Sequence, residues 1–146
     1  MTRAPRLAAL ATAVPPHVAL QGDAKGLVAQ LFSEVVGVDP RLLQVFEHAQ
    51  IEKRHTCMPL EWFATGHTFA EKNGLYVEHA VGLAEEVTRR VLERASLGPG
   101  DVDHIVFVSS TGLATPSIDA RLANQVAFRP DVRRTPIWGL GCAGGA

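Results

Sequence analysis

The sequence has few cysteines, no excess of basic charge and no long apolar run, and each absence excludes a class of protein. Only Cys57 and Cys142 are present, which is too few for a disulfide framework and makes a reducing cytoplasm the expected compartment. Lys and Arg (14) nearly balance Asp and Glu (15), for a net charge of -1, so electrostatics give no basis for nucleic-acid binding. No stretch approaches the roughly 18 apolar residues of a membrane-spanning helix.

What is present is the composition of a globular protein. Of the 146 residues, 47% are hydrophobic and 20% are charged, which is typical of one domain with a hydrophobic core.

The start of the chain has two interpretations. A basic segment, residues 1–6, precedes the apolar residues 7–14, and Ala11-Thr-Ala13 imitates a signal-peptide cleavage site. However, this apolar segment is short, has no leucine-rich centre and is followed at once by Pro15-Pro16. We therefore expect Arg6–Val14 to be an opening β-strand.

Helical and strand-like patterns alternate along the rest of the chain, which predicts an α/β fold with a mostly parallel central sheet covered by helices. Asp39 and Ser117 stand where helix N-caps are expected, and residues 51–63 are expected to form a loop. The three predicted strands should share one sheet, with the longest helix packed against it. The predicted helices are Asp23–Val36, Arg41–His48, Leu75–Ala95 and Ile118–Phe128, and the predicted strands are Arg6–Val14, His104–Ser109 and Arg134–Leu140.

The most informative segment is the last, where Cys142 follows an apolar, strand-like run and lies among glycine and alanine residues. Glycine accepts backbone conformations that other residues avoid, so the segment predicts a tight turn into a helix. Free N–H groups at a helix start favour an anion and can lower a thiol pKa from about 8.5. The pattern is typical of a nucleophile that carries an acyl group, but a space-filling cysteine fits the turn equally well. Cys57 has no such turn and is expected to be inert.

Two other patterns are weaker. Gly139-x-Gly141-x-x-Gly144 matches a dinucleotide-binding motif, which normally opens the first βαβ unit and needs an acidic residue about 20 positions later. Neither condition is met, so nucleotide binding is disfavoured. His55, Cys57 and His67 lack the close spacing of metal ligands, and no metal site is expected.

Ser110 and Thr111 follow the predicted strand His104–Ser109, as Cys142 follows the next one. Chemistry in parallel sheets collects at the carboxyl ends of strands. Ser110 and Thr111 therefore either line a pocket or simply form hydrogen bonds within a turn.

Five segments carry a family resemblance: Ala9–Pro15, Ile51–Arg54, Val106–Gly112 with Pro116, Phe128–Pro130 with Arg134, and the Gly141–Gly145 turn. In this order and spacing they resemble the amino-terminal part of a type III polyketide synthase, of the chalcone synthase-like branch of the thiolase superfamily. Small residues after the cysteine resemble bacterial members, since plant members have a bulky aromatic residue where Ala143 stands. The resemblance implies that residues 1–146 are the amino-terminal half of a thiolase-like layered α/β fold, truncated just after the nucleophile turn.

The resemblance also implies roles for individual residues. Cys142 corresponds to the catalytic nucleophile, and Ser110 to a residue that lines the acyl and polyketide cavity. Thr115 corresponds to a loop residue that reaches towards the neighbouring subunit's cavity of a homodimer. Arg41 matches a basic position that contacts the phosphates of coenzyme A, and Arg54 is a second candidate for that contact.

The implied reaction is a decarboxylative Claisen condensation of an acyl-CoA starter with malonyl-CoA on the cysteine thioester, with CoA thioesters as substrates and no bound cofactor. The family stabilises the enolate with a histidine and an asparagine from its carboxyl-terminal half, so this chain alone is expected to be inactive. Two alternatives remain. One is a related condensing enzyme, of the β-ketoacyl carrier-protein synthase III or hydroxymethylglutaryl-CoA synthase type, and the other is a non-catalytic fragment.

Overall fold

The computed structural model describes residues 4–145, so residues 1–3 of the signal-like start and Ala146 of the cysteine turn lie outside the described residues. The chain divides into two compact units. We call Val14–Thr68 the inserted unit, and we call Phe69 onward, together with the segment before Val14, the main unit.

The inserted unit contains a two-stranded antiparallel sheet. Strand β1 (His17–Leu20) pairs with β2 (Lys53–Thr56), with His17 opposite Thr56. The predicted loop over residues 51–63 is therefore wrong in part, because β2 lies within it. Its sequence, Lys-Arg-His-Thr, has no apolar alternation, so only the pairing with β1 reveals a strand. The other elements of this unit are α1 (Gln21–Leu31), α2 (Ser33–Val38), α3 (Val45–His48) and the 3₁₀ turns Pro40–Gln44 and Leu60–Ala64.

One predicted cap is confirmed and the other is not. The carboxylate of Asp39 accepts a hydrogen bond from the backbone N–H of Arg41 at 3.0 Å, at the start of the Pro40–Gln44 turn. Ser117 occupies the N-cap position of the helix that follows it, but its side chain makes no capping hydrogen bond.

The main unit is built on two parallel strands, β3 (His104–Ser109) and β4 (Arg133–Trp138), joined through helix α5 (Ile118–Gln125). Side chains of β3 alternate, with Ile105 and Phe107 half-buried and the intervening valines exposed. The half-buried side chains mark one face of the pair, and helix α5 contacts both strands. The buried apolar residues of this unit are Ile118, Leu122 and Val126.

Helix α4 (Phe69–Ala95) is the longest element, with 27 residues. It starts six residues before the predicted Leu75. The sequence Thr68-Phe-Ala-Glu71 has the S/T-x-x-E pattern that is typical of a helix start. The first turns were not predicted because Gly74 interrupts the apolar periodicity of the helix. Helix α4 packs against α5, which covers the sheet.

The predicted strand Arg6–Val14 is wrong, because the described residues 4–14 form no strand. Two of their backbone carbonyl groups accept hydrogen bonds from arginine side chains of helix α4 instead. Arg94 donates to the carbonyl of Leu10 at 2.7 Å, and Arg90 donates to that of Thr12 at 3.0 Å. The mostly parallel central sheet is thus not confirmed, since the described residues form two separate two-stranded sheets of a mixed α/β structure.

The ion pair between the buried Asp119 of α5 and the partly exposed Arg134 of β4 gives a stability prediction. Asp119 has 0% exposure, and its Oδ2 accepts a hydrogen bond from Arg134 Nη1 at 3.0 Å. Arg134→Leu would leave this carboxylate buried without a cation, which we expect to cost roughly 2–4 kcal/mol of unfolding free energy. Urea denaturation of the intact protein measures it, with Arg133→Leu, at the neighbouring arginine of β4, as the control. Equal losses in the two variants would contradict the prediction.

Candidate active site

The turn that carries Cys142 begins where β4 ends. Gly139 and Gly141 have φ values of 87° and 55°, in the left-handed region that only glycine adopts without strain. These two residues turn the chain into a 3₁₀ helix, Gly141–Gly145, with Cys142 at its second position. The predicted tight turn is confirmed, and the helix that follows is a single 3₁₀ turn within the described residues.

The two cysteines differ in exposure. Cys142 is exposed, whereas Cys57, in the inserted unit just after β2, is half-buried. Within the described residues 4–145, the Cys142 side chain is therefore not packed into the interior, whereas that of Cys57 is partly packed.

Ser110 lies beside the cysteine turn. Its hydroxyl donates a long hydrogen bond, 3.4 Å, to the carbonyl oxygen of Gly141. A Cβ atom at Gly144 would lie 3.0 Å from Val108 Cγ1 and 3.9 Å from Ser110 Oγ, so glycine allows this close approach. As predicted from the sequence, residues following the two strands meet at one edge of the parallel pair.

Thr115 lies on the same loop, which we define as residues 110–116. It is exposed, and its carbonyl accepts a hydrogen bond from Arg121 Nη2 at 3.4 Å. Arg121 Nε also donates to the carbonyl of Pro116 at 3.0 Å. Helix α5 thus holds the far end of the 110–116 loop, while Ser110 lies at the end nearer Cys142.

Three further side chains that the sequence analysis did not single out hold this loop. Asn73 forms two hydrogen bonds with the backbone of Leu113. Tyr76 shares a hydrogen bond with Ser109, and Trp138 donates to the carbonyl of Gly112. The spacing of Asn73 and Tyr76, three residues apart on a helix, shows that they share a face, but it does not reveal what that face contacts.

The two basic candidates for CoA binding belong to the inserted unit. Arg41 forms a two-pronged ion pair with Asp39, with Nε–Oδ1 at 2.9 Å and Nη2–Oδ2 at 3.0 Å. This pairing lowers the pKa of the Asp39 carboxyl and raises the pKa of Arg41. Arg54 Nε donates to Gln21 Oε1 at 3.1 Å, and its guanidinium lies 5.9 Å from the centre of the Phe46 ring.

The described part of the chain shows neither a metal-binding cluster nor a membrane-spanning helix. Residues 4–145 contain no cluster of three or more His, Cys, Asp or Glu side chains that could hold a metal ion. None of the helices in that range combines the length and the apolar character that crossing a membrane requires.

The class of protein follows from comparison with known sequences. Residues 3–146 match the family described as chalcone and stilbene synthases, N-terminal domain. The chain therefore belongs to this family, as the five sequence segments indicated.

The relatives of this chain include bacterial type III polyketide synthases. The chain is 41% identical to the 1,3,6,8-tetrahydroxynaphthalene synthase of Streptomyces peucetius subsp. caesius, over 99% of this chain and 38% of the relative. The crystal structure of the Streptomyces coelicolor A3(2) synthase of the same name, a bacterial type III polyketide synthase, matches with a TM-score of 0.81 and 31% identity. That match covers 92% of this chain and 38% of the synthase.

A structure of CsyB complexed with CoA-SH has the same fold, with a TM-score of 0.79 and 23% identity over 94% of this chain and 37% of CsyB. The chain thus spans well under half the length of each of these relatives.

The difference in exposure predicts a difference in alkylation. Under native conditions at neutral pH, iodoacetamide should modify Cys142 at least about tenfold faster than the half-buried Cys57. Peptide mass spectrometry over a time course measures both sites in one sample. A Cys142→Ala variant should show only the slow phase, and equal rates at the two cysteines would contradict the prediction.

Proposed function

We propose that the protein containing this chain is a type III polyketide synthase, which condenses an acyl-CoA starter with malonyl-CoA on a thioester of Cys142. The observation that carries the proposal is the exposed Cys142 in a glycine turn at the carboxyl end of β4, beside Ser110. The family match favours this activity over that of the other condensing enzymes.

In the first step, the Cys142 thiolate attacks the thioester carbonyl of the starter. A bond forms between sulfur and the acyl carbon, and coenzyme A leaves as a thiolate that takes up a proton. The acyl group would then lie at the edge of the parallel pair where β4 ends. Ser110 would line the cavity that receives this group.

In the second step, malonyl-CoA loses carbon dioxide, and the electron pair of the broken bond forms an enolate. The enolate carbon attacks the acyl carbon on Cys142, a carbon–carbon bond forms, and the Cys142 thiolate leaves, so the extended chain is a β-ketoacyl-CoA. Before each further condensation, the Cys142 thiolate attacks the thioester carbonyl of this extended chain, takes up the acyl group and releases coenzyme A. Enolate formation requires preorganised hydrogen-bond donors. The family resemblance assigns these donors to a histidine and an asparagine of the carboxyl-terminal half, so residues 1–146 alone would make no polyketide.

The remaining assignments concern binding. Arg41 and Arg54 would contact the phosphates of coenzyme A, consistent with the charge-assisted hydrogen bonds that guanidinium groups form with phosphates. Thr115 would reach the neighbouring subunit's cavity in a homodimer. CoA binding to CsyB, which has the same fold, supports CoA thioesters as the substrates.

The central test replaces each cysteine in the intact enzyme. Cys142→Ala should abolish both the acyl-enzyme and the product, because alanine has no thiol with which to form the thioester. Cys142→Ser should react at least about 100-fold more slowly, since a hydroxyl ionises far less readily than a thiol. Mass spectrometry after incubation with a series of acyl-CoA starters detects the adduct.

Cys57→Ala is the matched control and should acylate at the parent rate. Acylation that persisted in Cys142→Ala and vanished in Cys57→Ala would overturn the assignment.

A second prediction concerns the charge on Arg41. Because pairing lowers the pKa of Asp39 below its ordinary 3.8, the stabilisation it provides is complete above that value and is lost only as the pH falls through the lowered pKa. At neutral pH the Asp39 carboxylate is therefore ionised, and its negative charge offsets the positive charge of Arg41, which stays protonated. Asp39→Asn removes the charge but keeps an N-cap acceptor, so the KM for acyl-CoA should fall about threefold with kcat unchanged.

Steady-state kinetics measure this change, with Glu34→Gln, at an exposed carboxylate of α2, as the control for net charge. A KM that fell equally in both variants, or that did not fall in Asp39→Asn, would remove Arg41 from the CoA site.

A further inference from the structure

The 110–116 loop depends on side chains for its position. None of its residues belongs to a helix or a strand, so no ladder of backbone hydrogen bonds fixes the loop. It nevertheless carries Ser110, which we assign to the substrate cavity, and Thr115, which we assign to the neighbouring subunit's cavity in a homodimer. The groups that determine where this loop lies therefore determine where these two side chains lie.

Asn73 of helix α4 holds the middle of the loop. Its Nδ2 donates to the carbonyl of Leu113 at 2.9 Å, and its Oδ1 accepts from the N–H of Leu113 at 2.8 Å. One amide side chain thus satisfies both backbone groups of one residue, as a neighbouring strand would. This arrangement fixes the distance between the loop and α4 and the orientation of the Leu113 peptide groups.

Gly112 packs directly against the same face of α4. A Cβ atom at this position would collide with the ring of Tyr76 and would lie 2.9 Å from Asn73 Oδ1. The Tyr76 hydroxyl shares a 2.7 Å hydrogen bond with Ser109 Oγ, and Trp138 Nε1 donates to the Gly112 carbonyl at 2.8 Å. The loop is thereby held between α4 and the end of β4, one residue before the turn towards Cys142 begins.

We propose that Asn73 is a positioning residue, which sets the selectivity of acyl-chain loading through the place of the 110–116 loop. The inference rests on the proposed function, because it assumes that Cys142 is acylated. Asn73 belongs to a helix that supplies no group to the reaction, so it would act through Ser110 and Thr115. A displacement of about 1 Å in such a wall can change a rate by roughly 100-fold.

The test uses the intact enzyme, three variants of the loop contacts and one control variant. Asn73→Ala removes both hydrogen bonds to Leu113. Asn73→Asp keeps the acceptor for the Leu113 N–H but places a carboxylate oxygen against the Leu113 carbonyl. Tyr76→Phe keeps the ring against Gly112 and removes only the hydroxyl, so it provides a readout even where the Asn73 variants do not fold. Asn124→Asp, at an exposed asparagine of α5, is the matched control.

The readout is the ratio of kcat/KM for acylation of Cys142 by acetyl-CoA to that by octanoyl-CoA. We expect both Asn73 variants to change this ratio at least about fivefold, Tyr76→Phe to change it by a smaller factor, and Asn124→Asp to leave it within twofold. Alkylation of Cys142 by iodoacetamide should stay near the parent rate in all four variants, because the cysteine turn itself is unchanged.

The outcomes separate the two proposals. If the parent enzyme is not acylated by any acyl-CoA, the proposed function fails. If the parent is acylated and the folded Asn73 variants keep its ratio within twofold, the positioning role is overturned. Should the Asn73 variants not fold, an unchanged ratio in Tyr76→Phe overturns it. A loss of rate that is equal for both substrates would indicate a purely structural role and would also overturn it.

Discussion

Two parallel strands of one sheet must end at the same edge, and the pairing of β3 with β4 imposes this constraint on the main unit. The loop that leaves β3 and the turn that leaves β4 are therefore neighbours, although about thirty residues separate them along the chain. The contact between Ser110 and Gly141 follows from this pairing. The position of Cys142 follows from it too, because Cys142 lies in the short turn that comes directly after β4.

Side chains of helices α4 and α5 hold the loop at this edge of the strand pair in place. Helix α4 contacts the 110–116 loop through Asn73 and Tyr76. Helix α5 is linked to β4 by the ion pair between the buried Asp119 and Arg134. Neither helix carries a group that we assign to the chemistry. Residues of both helices nevertheless affect the candidate active site, because their side chains hold the 110–116 loop, which has no ladder of backbone hydrogen bonds. On the proposal that Cys142 is acylated, we expect a substitution on α4 to change which acyl group is accepted without contacting that group.

The sequence predicted those parts of the structure that depend on local physics. The long amphipathic helix, the β-branched run His104–Ser109 and the glycine turn around Cys142 each have a periodicity or a backbone preference of their own. The strand predicted over Arg6–Val14 did not form, because an apolar run becomes a strand only with a partner, and arginines of α4 bind its carbonyls instead. The polar strand Lys53–Thr56 was missed for the same reason. The Asn73 contacts could not be predicted, since residues 40 positions apart reveal no pairing by spacing.

Whether the carbon chain is built on the sulfur of Cys142 is tested most directly by rapid quenching of the intact enzyme with acyl-CoA and malonyl-CoA. Proteolysis and mass spectrometry then identify what each cysteine carries. The peptide that contains Cys142 should carry the starter and a series of longer acyl groups that differ by one two-carbon ketide unit. Product formation with an unmodified Cys142 peptide, or the same series on Cys57, would contradict the assignment of Cys142 as the nucleophile.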